Sequence, residues 1–288
     1  MVNNLSNNVS VIDGKTNTVV ATVTVGSQPQ FAGVNPNTNL NYVTNLSDDT
    51  VSVIDGSTNT VLTTIPVGVQ PEGLGVNSNT NQIYVANLSD NTVSVINGNT
   101  NTVTTTILVG NMPYGVGVNP ITALIYVTNE ADNTVSVIDG ITNTVTTTIP
   151  VGSSPLGTSL NPINNRIYVA NNSDNTSTVI SGLSHSVIST ISVGSSPFSV
   201  GVNPNTNLIY VTNLGDNTIS VIDGNTNTVT TTIPVGSGPI GIGVNSLTNG
   251  IYATNNSNNN VSVIDGNTNT VTATIPVGSG PYGVGVNP

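Results

Sequence analysis

The chain carries two glutamates, one histidine, no cysteine, and only Lys15 and Arg166 as cations, so few side chains are available for acid–base or metal chemistry. Glu72 and Glu130 form the one carboxylate pair worth weighing as acid and base, because that chemistry needs titratable groups in a shared site. Met112, Tyr114 and Asp132 belong to the same stretch. An aromatic ring beside a carboxylate can stack on and hydrogen-bond a sugar, or hold a cation; exposed acidic loop residues are more often simply solvated. His185 stands where other copies of the repeat described below have a turn Asn, such as Asn227. A lone histidine there reads as a surface substitution rather than a base. Ser and Thr hydroxyls abound, but none has an identifiable base beside it. Without cysteine, disulfides, thiol redox chemistry and zinc–cysteine sites are excluded.

The elements that must position these residues follow from a strict period. Tyr42, Tyr84, Tyr126, Tyr168, Tyr210 and Tyr252 are each 42 apart. The prolines Pro29, Pro71, Pro113, Pro155, Pro197, Pro239 and Pro281 keep the same spacing, as do seven glycines from Gly14 to Gly266. A fixed period of this length marks a repeat architecture. In the third copy, Gly115–Val118, Leu124–Thr128, Thr134–Ile138 and Thr144–Val151 are β-branched or aromatic, and Gly, Asn, Asp and Pro separate them. Those are four short strands joined by turns. One such sheet cannot hide both faces, so neighbours must stack.

Seven units of four antiparallel strands predict an all-β, seven-bladed β-propeller spanning 1–288 as one domain. A Gly-rich first strand suits the crowded axis, and Pro66, Pro150, Pro234 and Pro276 blunt the outer strand of four copies against edge pairing. The chain begins at the end of a second strand and stops at the end of a first. Pairing of the C-terminal inner strand (281–288) with the N-terminal strands (1–26) therefore closes the ring and leaves no unfinished blade. Met1 falls one position after the place of a repeat Tyr, so the chain reads as a piece of a longer parent whose targeting segment is out of view.

The segments Asn41-Tyr42-Val43-Thr44-Asn45, Ile83-Tyr84-Val85-Ala86-Asn87, Ile125-Tyr126-Val127-Thr128-Asn129 and Ile209-Tyr210-Val211-Thr212-Asn213, with the recurring Val-Ser-Val-Ile-Asp-Gly and Ile-Pro-Val-Gly blocks, resemble the YVTN β-propeller repeat family over the whole chain. The resemblance implies a seven-bladed propeller and a cell-surface or secreted setting; it implies no activity.

Within the repeat, positions fixed in every copy read as architecture. The Asn that closes the second strand (Asn3, Asn45, Asn87, Asn129, Asn171, Asn213, Asn255) is expected to form an Asx turn or a left-handed loop entrance. The most variable position follows the fixed proline: Gln30, Glu72, Tyr114, Leu156, Phe198, Ile240 and Tyr282. These seven are expected to ring one mouth of the central channel, with Met112, Glu130 and Asp132 beside Glu72 and Tyr114. Such a rim can receive a ligand or a partner's side chain, or it can pack as an apolar plug. The opposite face carries Asp-Gly turns. Asp223 to Asn227 begins like a calcium loop, but Thr228 and Pro234 stand where an EF-hand needs Gly and Glu, so no metal site is assigned. Eight Asn-x-Ser sequons (Asn4, Asn8, Asn45, Asn87, Asn171, Asn175, Asn255, Asn260) offer glycan attachment, with those after the second strand expected to be accessible.

Charge narrows the partners. A formal net charge of −11 repels phosphate backbones and anionic lipid, so neither nucleic acid nor direct membrane insertion is expected. Charged residues are only 5% of the chain, against about 25% in ordinary soluble domains, so Asn, Thr and Ser must keep it soluble. The reading is a non-catalytic, extracellular or cell-surface scaffold that binds protein and needs no cofactor, with self-association through sheet edges allowed. A glycan-binding propeller is the alternative, and a carboxylate-dependent enzyme a weaker third.

Overall fold

The computed structural model describes residues 1–287; Pro288, assigned from sequence to the closing strand, lies outside them. Six sheets of four antiparallel strands and one three-stranded sheet follow one another along the chain. In the third blade the strands run Pro113–Asn119, Leu124–Asn129, Thr134–Asp139 and Thr144–Pro150, from the axis outwards. The other complete blades repeat this pattern at 42-residue intervals. The inner strand starts at the fixed proline, two residues before the Gly-rich stretch, and a register shift between Pro113 and Val116 marks the extra residues. The variable position is therefore the second residue of a strand rather than part of a loop.

Blades cohere by burying the second and third strands between neighbours. Tyr84, Ala86, Val93, Val95 and Ile107 of the second blade pack against Ile125, Val127 and Ile138 of the third, all buried. The same cluster recurs from blade to blade. Five of the repeat tyrosines are fully buried, and each large aromatic contributes substantially to such a core. Near the axis five of the seven blades use glycine at the third residue of the inner segment, with Phe31 and Ser199 as the exceptions: a Cβ on Gly73 would lie 2.3 Å from the carbonyl oxygen of Tyr114 in the next blade. Edge protection is more uniform than the outer prolines suggest. All seven outer strands shift register against the third strand, as between Val137 and Ile138; such bulges twist an edge out of pairing.

The asparagine that ends each second strand does not form an Asx turn or adopt the left-handed region. Asn3 and Asn255 are extended, with φ of −111° and −108°. Left-handed φ appears instead at Asn7, Asp49, Asn91 and their equivalents, where the loop re-enters the sheet. The buried amide clamps the third strand: Asn129 Nδ2 donates to Thr134 Oγ1 at 3.0 Å and Ser136 Oγ at 2.9 Å. Burial and these bonds also close the sequons at Asn45, Asn87, Asn171 and Asn255, against expectation. Asn175 is the exposed one.

The termini close the ring. Tyr282 N–H donates to the Val2 carbonyl at 2.8 Å, and Val2 N–H donates to the Gly283 carbonyl at 2.9 Å. The closing blade is nevertheless incomplete, contrary to the sequence expectation. Its second strand is only Val2–Asn3, where each complete blade has six residues. Residues 283–287 are consequently in no strand ladder.

Candidate functional site

Six of the seven variable residues are the second residue of an inner strand, and Tyr282 holds the equivalent place in the closing segment, so all seven lie at one end of the channel. They are held there by a repeated device: the residue before the proline is left-handed (Gln28, Gln70, Met112, Ser154, Ser196), and its N–H donates to a loop asparagine or aspartate of the preceding blade. Met112 N–H, for example, donates to Asn91 Oδ1 at 2.9 Å. The Met112 side chain is left exposed.

Four aromatic rings interlock in this mouth. Phe31–Tyr114, Tyr114–Phe198, Phe198–Tyr282 and Tyr282–Phe31 are all edge-to-face, with centroids 6.0, 5.9, 5.8 and 5.5 Å apart. Tyr114 and Tyr282 also share a 2.7 Å hydroxyl–hydroxyl hydrogen bond. Leu156 and Ile240 complete the buried cluster. The arrangement is a plug, because each ring presents its face or edge to another ring. Phe31 was missed from sequence. Its position is Gly73, Gly115, Gly157, Ser199, Gly241 and Gly283 elsewhere, and that one aromatic exception among small residues was the available signal.

Gln30 and Glu72 lie buried beside the plug, and neither Gln30 Oε1 nor Glu72 Oε2 has a hydrogen-bond donor among the described residues. Burial pushes the Glu72 carboxyl up to about 8, with the nearby Glu130 charge adding to the shift. A desolvated carboxylate beside a like charge favours its neutral form. Glu130, half-buried, is raised too, by burial. Tyr114 and Tyr282 are raised chiefly by burial and then by Glu72, so the four groups form one electrostatic neighbourhood. Asp132 differs. Its Oδ2 accepts the Asn111 N–H at 2.7 Å, and its Oδ1 accepts Asn111 Nδ2 at 2.8 Å. Those bonds hold it below the usual carboxylate range. Asp48, Asp90, Asp174 and Asp216 do the same for their own connections. Asp132 is thus a loop brace shared by most blades.

The far face holds the turns between inner and second strands and between third and outer strands. His185 and Arg166 are there but point apart. His185 approaches the Tyr126 ring of the preceding blade at 6.4 Å. Arg166 reaches the Gly224 carbonyl and Asn227 of the following one. Asp223 Oδ1 is engaged by the N–H and Nδ2 of Asn225. Among the described residues no three His, Asp or Glu side chains converge as a metal cluster.

This face also carries an apolar patch that sequence reasoning passed over. Ile121 and Ile141 of the third blade and Ile163 and Leu183 of the fourth are 71–84% exposed. Gly140 N–H donates to the Ala123 carbonyl and Gly182 N–H to the Asn165 carbonyl, which joins the two turns within each blade. Asn119 Nδ2 donates to Asn165 Oδ1 at 2.8 Å and ties one blade to the next. Equivalent positions elsewhere are mostly Asn, Ser or Lys, among them Asn37, Asn79, Asn205, Lys15, Ser57 and Asn99.

Neither a protein-family model nor a curated protein sequence matches the chain. Solved structures match it well. Hydrazine synthase of Kuenenia stuttgartiensis superposes with a TM-score of 0.82 at 19% identity, over 90% of both chains. A functionally unknown protein from Desulfotomaculum acetoxidans gives 0.83 at 14% identity, over 96% of both. At these identities the likeness establishes the seven-bladed propeller fold alone. One of the two similar proteins is an enzyme by its title, and one fold hosts many functions, so the fold by itself does not separate scaffold from catalyst.

Proposed function

We propose that this propeller is a non-catalytic scaffold and protein-interaction module of the YVTN type, working at the cell surface or outside the cell. The observation that carries the reading is the exposed patch of Ile121, Ile141, Ile163 and Leu183. Four large apolar side chains on adjacent turns of a polar, Asn- and Thr-rich surface mark a contact surface. Packing of the aromatic mouth as a plug disfavours the rim as the docking face and favours the opposite one. The net charge of −11 disfavours acidic partners. The test is photo-crosslinking from position 163 in the cells of origin. A discrete protein partner, absent when Ile121, Ile141 and Leu183 are replaced by Asn with the crosslinker kept at 163, supports the proposal. An unchanged crosslinking pattern in that variant sinks it. Labelling of intact, unpermeabilised cells by an antibody checks the surface setting separately.

Glycan binding at the plugged mouth is the second reading. It is favoured by the undonated oxygens of Gln30 and Glu72 beneath the Tyr114–Tyr282 pair. A glycan-array hit that survives Tyr114→Ala would remove it.

A further inference from the structure

An asparagine relay crosses the far face from blade to blade. The asparagine that ends an inner strand donates to one in the next blade: Asn35 Nδ2 to Asn81 Oδ1, and Asn203 Nδ2 to Asn249 Oδ1, both at 2.7 Å. The receiving asparagine then donates to the turn after the third strand. Asn81 Nδ2 reaches Asn99 Oδ1 at 3.0 Å, and Asn249 Nδ2 reaches Asn267 Oδ1 at 3.1 Å. The relay fails in the third and fourth blades, where the apolar patch lies. Ala123 stands in place of a receiving asparagine, and Ile141 and Leu183 stand in place of the final acceptors.

Two local costs fall at this one place. Asn77 is fully buried, and its Nδ2 has no acceptor among the described residues. Its Oδ1 is fixed by the N–H groups of Asn79 and Thr80, at 3.1 and 3.3 Å. By the 46-residue offset that joins Asn35 to Asn81, the idle donor faces position 123. Ala123 also keeps the left-handed backbone of its equivalents, with φ of 57°, a region that asparagine tolerates and alanine disfavours. An unpaired buried donor and a strained alanine both weaken the fold. A repeat that breaks its own rule beside an exposed apolar patch marks a functional position.

We propose that the notch left by Ala123 receives a side-chain amide, Asn or Gln, from an apolar segment of the protein that docks on the patch; this rests on the far-face reading above. The partner's amide oxygen accepts from Asn77 Nδ2, as Asn81 Oδ1 accepts from Asn35, and its apolar neighbours lie on Ile121 and Ile141. A basic side chain does not fit, because it would set a donor against a donor. A carboxylate fits poorly. Asp139 holds the base of the same turn, accepting the Ile141 N–H at 2.8 Å, and like charges this close repel.

The test uses the 288-residue chain and the capped tripeptide acetyl-Leu-Asn-Leu-amide, followed by NMR. Saturable shifts of the Asn77 side-chain amide and of the Ile121 and Ile141 methyl signals are expected. Acetyl-Leu-Ala-Leu-amide and acetyl-Leu-Asp-Leu-amide should bind roughly tenfold more weakly, since each leaves the donor unmatched or meets Asp139. Ala123→Asn restores the relay in cis, so Tm should rise by about 2–4 °C while peptide binding is lost. An unmoved Asn77 amide, equal binding of the alanine peptide, or an Ala123→Asn chain that binds like the parent overturns the notch. Equal binding of the aspartate peptide overturns the choice of an amide. Crosslinking from position 163 judges the patch separately: a partner that persists with Ala123→Asn removes the notch and leaves the patch standing. Peptide binding without any crosslinked partner supports the notch and counts against the scaffold reading.

Discussion

The hydroxyls of Tyr114 and Tyr282, 168 residues apart in sequence, meet at 2.7 Å across the channel mouth. Tyr114 is the second residue of the inner strand of the third blade, and Tyr282 lies in the C-terminal segment that closes the ring. The bond thus ties the closure to a distant blade inside a dry cluster. Removing one hydroxyl strands the other, whereas removing both strands neither. Tyr114→Phe or Tyr282→Phe should each cost about 1–2 kcal/mol, and the double variant little more than either alone. Urea denaturation of the four proteins checks the cycle; additive losses would show that the pair is not coupled.

Glu72 should make stability depend on pH. Its folded pKa of about 8 lies above the ordinary 4.5. The unfolded chain therefore releases this proton first as pH rises, and the folded state holds more protons between those values. Stability is fully present below pH 4.5 and is lost as pH rises through 8, by a few kcal/mol in order of magnitude. Glu72→Gln should flatten that slope and stabilise the protein at pH 9. Denaturation midpoints at pH 5 and 9 decide it, and a variant as pH-sensitive as the parent would assign the slope elsewhere.

The Asn129 clamp should be costly to remove. Asn129→Ala leaves the buried Ser136 hydroxyl without its donor and takes away two bonds, so a loss of about 2–3 kcal/mol is expected. Asn175→Gly, on the exposed loop at φ 56°, keeps the left-handed backbone and should cost about 1 kcal/mol or less, since it gives up the single bond from Ser196 N–H. Thermal unfolding distinguishes them.

Two axial glycines should respond in opposite senses. A methyl on Gly73 meets a backbone carbonyl at 2.3 Å, so two adjacent inner strands must shift to admit it, and Gly73→Ala should destabilise by about 1–3 kcal/mol. On Gly117 the nearest atom is Thr158 Cγ2 at 3.4 Å, an ordinary contact. Gly117→Ala should be neutral or stabilising by about 0.4–1 kcal/mol, because it restricts the unfolded chain. Equal losses at both sites would contradict the crowding argument.

The 42-residue period, read with the turn residues, was enough to give strand number, blade count and the meeting of the termini. Each of these depends on local patterns that recur without insertion. It also located the variable ring, since one position per repeat must share one radius. It did not reveal what the ring does. Whether Tyr114, Phe198 and Tyr282 stand apart as a rim or lock together depends on contacts across the axis, and so does the part Phe31 takes among them. The far-face patch escaped for a similar reason: Ile121, Ile141, Ile163 and Leu183 sit at turn positions whose adjacency exists only after the blades curl into a disc.

The function of the fixed asparagines shows the same division. Their recurrence signalled architecture, but an exposed turn residue and a buried clamp leave the same mark in one dimension. Repetition determines which units stack and how many. The tertiary structure alone decided which side chains met across the ring and which were closed off from solvent. Those outcomes depend on distances between blades, and no single repeat encodes them.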